Sequence, residues 1–269
     1  MKEEQYKQEN YRITLYLDTG ILPVKKGDML AYSGSTGSSG EPRVHFEMRD
    51  TKTEHALGPL VYYKIDIADA QAPLVKGIAV YPIEGEGVLN GSINPYRQTV
   101  TVLKKGGYSP VSKPLEAWGR VGVGIRANDR MNKTANIYGV KVVKLFCDDK
   151  EIWSYDMTSV DFDLSRMINS FIDYDYWVKE KTYYMKSFIE PGNKLPLFKA
   201  DNDGYIDINE ERIYKLRYEL EDIYGNKISY QFSLTGKKQD VPPHRPCTQA
   251  MVHPCNTPCI TDELTLIVP

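Results

Sequence analysis

Histidine is scarce in this chain: there are four in 269 residues, and none among the first 42. No apolar run approaches the roughly 20 residues that a membrane-spanning helix requires, so a membrane span is not expected. There is no basic excess either. Thirty-four Lys and Arg stand against 36 Asp and Glu, a net charge of -2, and a pI near 6.1 leaves no footprint for nucleic acid. The opening Met1-Lys2-Glu3-Glu4-Gln5-Tyr6-Lys7-Gln8 lacks the charged-then-apolar pattern of an export signal, and the chain ends within a strand-like run, Glu263 to Pro269, so it reads as a piece of a longer protein. No internal repeat stands out. What is abundant is tyrosine, 20 residues, which with 41% apolar content and a mean hydropathy of -0.45 fits a soluble β protein. The length permits one large domain or two smaller ones.

Short alternating or apolar runs separated by turn residues dominate. Ile13–Leu17, Leu30–Tyr32 and Val44–Met48 are strand candidates in a first part, residues 1–66. Asp69–Pro73 reads as a linker. Strand candidates at Val75–Tyr81, Val100–Leu103, Val121–Ile125, Val140–Phe146, Lys215–Leu220 and Ser229–Leu234 then predict an immunoglobulin-like antiparallel β-sandwich over 73–238. Within it, Leu164, Met167, Ile168, Phe171 and Ile172 have helical spacing and predict a short inserted helix whose stripe is core. Asp222–Lys227 and Ala127–Asn132 have the wording of hairpin turns. Residues 239–269 form a Pro/Cys-rich tail ending in a strand.

The segment from Gly27 to Asp50 carries the functional signal. If Val44–Met48 is a strand, Arg43, His45 and Glu47 share one face while Val44, Phe46 and Met48 share the other. Ser33 to Gly40 supplies three glycines and four serines in eight residues, suited to a tight loop beside such a strand. Lys25-Lys26-Gly27-Asp28, then Ser33-Gly34-Ser35-Thr36-Gly37, then Val44-His45-Phe46-Glu47 resembles the signature V-K-K-G-D, S-G-N-T-G, G-P-H-L-H-F-E of the lysostaphin or LytM type of zinc endopeptidases. Arg49 to His55 with Pro59-Leu60 is similar to the Bacteroidetes-type branch, in which a β-rich region follows the peptidase. The motif match covers roughly residues 22–60.

The resemblance implies a partial duplicated hybrid motif for residues 1–66, with His45 at a zinc-ligand position and an exported, periplasmic or cell-envelope setting. It departs from the family at Arg43, which occupies the catalytic histidine's position, at Ser35, which replaces Asn, and at Gly58, which stands in the family's N-P-L. The upstream H-x-x-x-D that supplies the other two ligands is missing. A catalytic zinc takes three protein ligands and an open position, so one histidine does not hold it. A guanidinium stays protonated, and two unit charges about 4 Å apart repel by roughly 4 kcal/mol at an effective dielectric near 20, more for a divalent ion. The expectation is therefore an inactive site that holds no zinc.

Three other features compete for attention. Asp201 to Glu210 follows an EF-hand loop from its third to its twelfth position, but Lys199 fills the first, and the entering Lys194–Phe198 contains Pro196, so a hairpin turn is expected. His244, Cys247, His253, Cys255 and Cys259 gather in the tail with no standard zinc spacing; a disulfide in an exported protein and free thiols in a reduced one are both open. Cys147 reads as a buried thiol. Trp118, Trp153 and Trp177 with the tyrosines are expected mostly as packing, though aromatic faces also stack on sugars.

Three readings follow. The preferred one is a degenerate peptidase unit joined to a β-sandwich, binding peptidoglycan stem or cross-bridge peptides or an envelope partner protein. The second is a fragment of an active zinc endopeptidase that cleaves peptidoglycan cross-links. The third is a glycan-binding or structural sandwich.

Overall fold

The computed structural model describes residues 2–7, 9, 18, 20–35, 40–42, 44–62, 69–104, 107–241, 259–260 and 266–267. It divides into two units, Met1–Phe46 and Glu47–Pro269.

In the first unit α1 spans Lys2–Lys7. The Lys25–Asp28 motif is a turn: the Asp28 carboxylate accepts the Lys25 N–H at 2.7 Å, and Gly27 takes a φ of +99°. Leu30–Tyr32, expected as a strand, is irregular, with Leu30 and Tyr32 exposed. Val44–Glu47 is irregular too, and only Met48 enters a strand. Val44 and Phe46, the face such a strand would bury, are 81% and 59% exposed, so burial does not hold the segment extended. Ile13–Leu17 lies outside the described residues.

The second unit is mainly β, as the strand spacing predicts. β1 (Met48–Arg49) and β2 (Ala56–Leu57) pair antiparallel around the Asp50 turn, and α2 (Pro59–Tyr62) follows. The major sheet takes β3 (Leu74–Leu89), β4 (Tyr96–Thr99), β5 (Glu116–Asn128), β6 (Val142–Cys147) and β7 (Lys150–Asp156). After β8 (Ser159–Val160) come a 3-10 turn at Ser165–Met167, α3 (Ile168–Phe171) and α4 (Tyr174–Glu180). β9 (Met185–Lys186), β10 (Phe198–Ala200), β11 (Ile206–Ile208), β12 (Ile213–Glu221) and β13 (Lys227–Gly236) complete the sheet, while β14 (Cys259–Ile260) and β15 (Leu266–Ile267) pair with each other. β8 pairs with β2, so Ala56 and Leu57, within the stretch that carries the resemblance, are paired with a strand from mid-chain.

The sheet runs β10-β7-β6-β12-β13-β5-β3-β4, with β9 and β11 also on β5. Its described pairings are antiparallel except the two-residue contact of β13 with the start of β5. The β12–β13 hairpin shows why these runs are strands: Tyr214, Leu216, Tyr218 and Leu220 alternate with outward residues, as do Tyr230, Phe232 and Leu234. Both sides of the β13–β5 step feed one core, in which Val80, Val123, Leu145 and Leu216 are among the residues shut off from water. Trp153 is fully buried against Phe171, Phe198 and Tyr155, which confirms packing as its role.

Two elements differ from expectation. Val100–Leu103 is not a strand; β4 forms just before it, because only Val100 turns inward while Val102 and Leu103 are half exposed. The expected helix ends at Phe171, Ile172 is extended, and Asp173 caps a second helix by accepting the Tyr176 N–H at 3.4 Å.

Candidate functional site

His45 is exposed on the irregular segment that ends the first unit, and Arg43 lies outside the described residues. Among the described residues His45 belongs to no group of three His, Cys, Asp or Glu side chains with converging ligand atoms. The nearby turn is well built. Asp50 accepts the N–H groups of Lys52 and Thr53 and the Thr53 hydroxyl, which hold its carboxyl below the usual range, the Thr53 N–H most of all.

The EF-hand-like stretch is a 3-10 turn at Asn202–Gly204 leading into β11, not the expected hairpin turn, because β10 pairs with β7 and β11 with β5. Its carboxylates are engaged elsewhere: Asp201 with Lys150 at 2.5 Å, Asp207 with Arg120 at 2.9 Å and Glu210 with Arg212 at 2.9 Å. In the tail, His244, Cys247, His253 and Cys255 lie outside the described residues, and Cys259 begins β14. Cys147 is half-buried in β6, and burial pushes its thiol up to about 11.

The residues that do converge were read one at a time in the sequence, as a linker and as two hairpin turns. Asp69 lies in the lead-in to β3, Asp129 directly after β5 and Asp222 directly after β12. A carboxylate oxygen from each lies within 4.8 Å of the others, and Asp129 and Asp222 are only 2% and 1% exposed.

Asp222 is built into its turn: Oδ1 accepts the N–H groups of Tyr224 at 2.8 Å and Asn226 at 2.9 Å, and Oδ2 accepts Asn226 Nδ2 at 2.8 Å. The Asn226 amide also reaches the Asp69 carbonyl at 3.4 Å, tying the lead-in to the hairpin. Asp69 Oδ1 accepts the Gln71 N–H at 3.1 Å. Three oxygens have no donor: Asp69 Oδ2, Asp129 Oδ1 and Asn128 Oδ1 are all buried without a hydrogen-bond partner.

Burial is the main cause pushing the Asp129 carboxyl up to about 6; Asp222 and Asp69 push the same way, and the Arg130 N–H opposes them. Two ionised carboxylates whose oxygens lie within 4.8 Å repel by roughly 3 kcal/mol or more at an effective dielectric near 20. A convergence of buried anionic oxygens at that cost is the pattern of a site that accepts positive charge. Beside it, a cleft of about 400 Å³ is lined by Gln71, Pro73, Leu74, Tyr108, Arg130 and Ile228, among others.

One further surface gathers chemistry. On and after α4, Trp177 stacks on Tyr183 at 5.5 Å and tilts against Tyr174 at 5.5 Å, with Tyr174 42% and Tyr183 54% exposed and the Lys181 ammonium 5.6 Å from the Trp177 ring.

Compared with protein-family models, curated proteins and solved structures, the chain finds no match in any of the three.

Proposed function

We propose that the chain is a degenerate lysostaphin-type peptidase unit joined to a β-rich domain. In this reading it binds the stem or cross-bridge peptides of peptidoglycan, or an envelope partner protein, in the periplasm or at the cell surface, without hydrolysing them. The observation that carries the reading is Arg43 two residues before His45, within wording that otherwise follows the family from Lys25 to Glu47. A guanidinium in place of the catalytic imidazole cannot accept a proton from water, yet it can grip a substrate carboxylate through paired hydrogen bonds. That exchange trades turnover for binding, and no resident zinc is needed for it.

The test is co-sedimentation of the full chain with purified peptidoglycan, with and without zinc, alongside release of soluble fragments. Sedimentation without release, weakened by Arg43→Ala and unaffected by zinc, is expected. Fragment release that depends on zinc and disappears in His45→Ala would instead make the chain part of an active endopeptidase, and failure to sediment would remove the peptidoglycan reading.

A second reading rests on a separate observation, the Tyr174–Trp177–Tyr183 ring group, in which the two tyrosines are exposed and Trp177 is half-buried against the core. Aromatic rings at a surface offer stacking area to sugar rings, and this would make the β-rich domain a glycan-binding module. Quenching or blue-shift of tryptophan fluorescence by soluble glycan, lost in Trp177→Ala, is the corresponding measurement.

A further inference from the structure

We propose that Asp69, Asp129 and Asp222 form a calcium site that fastens the lead-in of β3 to the ends of β5 and β12. The donor set is oxygen throughout, which suits a hard cation and not zinc or copper. Its size fits as well. Two oxygens on opposite sides of a calcium ion, each about 2.4 Å from it, are about 4.8 Å apart, and the three carboxylates converge within that span.

A cluster of acidic side chains is common without an ion, but here the lone pairs themselves point to one. Asp129 is 2% exposed and its Oδ1 accepts nothing, and Asp69 Oδ2 and Asn128 Oδ1 are likewise buried and unpartnered. Buried acceptors in folded proteins are satisfied as a rule. Asp69 Oδ2 and Asp129 Oδ1 belong to carboxylates that converge from separate segments, beside an Asp222 carboxylate already oriented by its own turn, and a cation is the ligand that serves all three at once. The Asp222 turn acts as the rigid wall: its N–H donors fix the carboxylate while leaving lone pairs for the ion. Calcium is preferred to magnesium because it accepts irregular geometry and bidentate carboxylates, whereas magnesium demands a regular octahedron and retains several waters. The site stands independently of any peptidase function, since each ligand lies in the β-rich unit.

The experiment uses the full chain, stripped with chelator and titrated with calcium chloride by calorimetry, with thermal unfolding followed by circular dichroism. One calcium per chain and a calcium-dependent rise in Tm are expected. Asp129→Asn and Asp69→Asn should each weaken binding by about tenfold or more and reduce the Tm response accordingly. Asp69 sits in the half-buried lead-in, so Asp69→Asn keeps the test valid if the buried Asp129 variant does not fold. Asp203→Asn, in the EF-hand-like turn, should leave binding unchanged. Absence of heat and of any Tm shift at millimolar calcium overturns the proposal. So does binding that survives Asp69→Asn but disappears in Asp203→Asn, or an equal response to magnesium.

Discussion

Arg97 and Asp173 form an ion pair, Nη2 to Oδ2 at 2.5 Å, that joins β4 to the cap of α4. The same Asp173 oxygen accepts Arg97 Nε at 2.7 Å and the Tyr81 hydroxyl at 2.9 Å, and the guanidinium lies 4.3 Å from the Tyr176 ring. One carboxylate thus holds a strand, a neighbouring strand and a helix start together.

Removing one partner leaves the other's charge uncompensated in a largely buried place. Asp173→Ala is expected to cost about 3 kcal/mol, read as a lower urea midpoint with an unchanged slope. Replacing both partners, as in Arg97→Met with Asp173→Leu, should cost less than the sum of the single changes. Additive single and double effects would show that the pair does not act as a unit.

Gly87 and Gly119 meet where β3 and β5 shift register. A Cβ on Gly87 would lie 1.9 Å from the Arg120 carbonyl oxygen, and one on Gly119, whose φ is +75°, 2.0 Å from that of Glu86. Gly119→Ala is expected to destabilise by about 2 kcal/mol or more through backbone displacement. Gly225, with φ +89° and open space around it, is the control: Gly225→Ala should cost only the conformational penalty, about 1 kcal/mol. Equal losses in the two urea titrations would mean that close approach contributes nothing.

These relationships mark how far the sequence could be read. The β12–β13 hairpin and the Asp222 turn were legible because their signals are local, with period-two apolar residues on either side of an Asp-x-x-Gly-Asn turn. The irregular course of Val44–Glu47 was not, because alternation says which face could pack and not whether anything covers it. α4 was missed although Asp173, an N-cap residue, stands at its start; its aromatic residues lack a clear stripe. The Asp69, Asp129 and Asp222 convergence is a property of topology. Asp69 precedes β3 while Asp129 and Asp222 directly follow β5 and β12, and only the fold brings the three segments together.

Buried phenols set the alkaline limit. Tyr155 donates to the Val140 carbonyl at 3.0 Å, Tyr218 pairs with Ser187 Oγ at 2.7 Å, and burial raises both phenols and that of Tyr81 well above the ordinary value of 10.0. Above pH 10 the unfolded chain releases these protons and the folded chain keeps them, so unfolding is favoured as pH rises. Stability from these groups is expected to be constant below that pH and to fall steeply above it, with part of the phenolate absorbance appearing only as circular dichroism is lost. Full phenolate absorbance at retained structure would refute the burial.

Cys147 gives a reading of the same sheet at lower pH. Its thiol is pushed up to about 11, by burial first and by Asp148 next, with Arg212 opposing. The thiolate is the reactive form, so a rise of about two pH units from an ordinary value near 9 lowers the reactive fraction at pH 8 about a hundredfold. In a chain whose Cys247, Cys255 and Cys259 are replaced by serine, the remaining thiol should react with a disulfide reagent about a hundredfold more slowly than a free cysteine peptide, and faster by about tenfold per pH unit until near 11. Arg212 pairs with Asp148 at 2.6 Å. Arg212→Ala takes away the nearby cation and leaves the Asp148 charge, so it should slow the reaction further; an acceleration would mean that access to β6, and not ionisation, sets the rate.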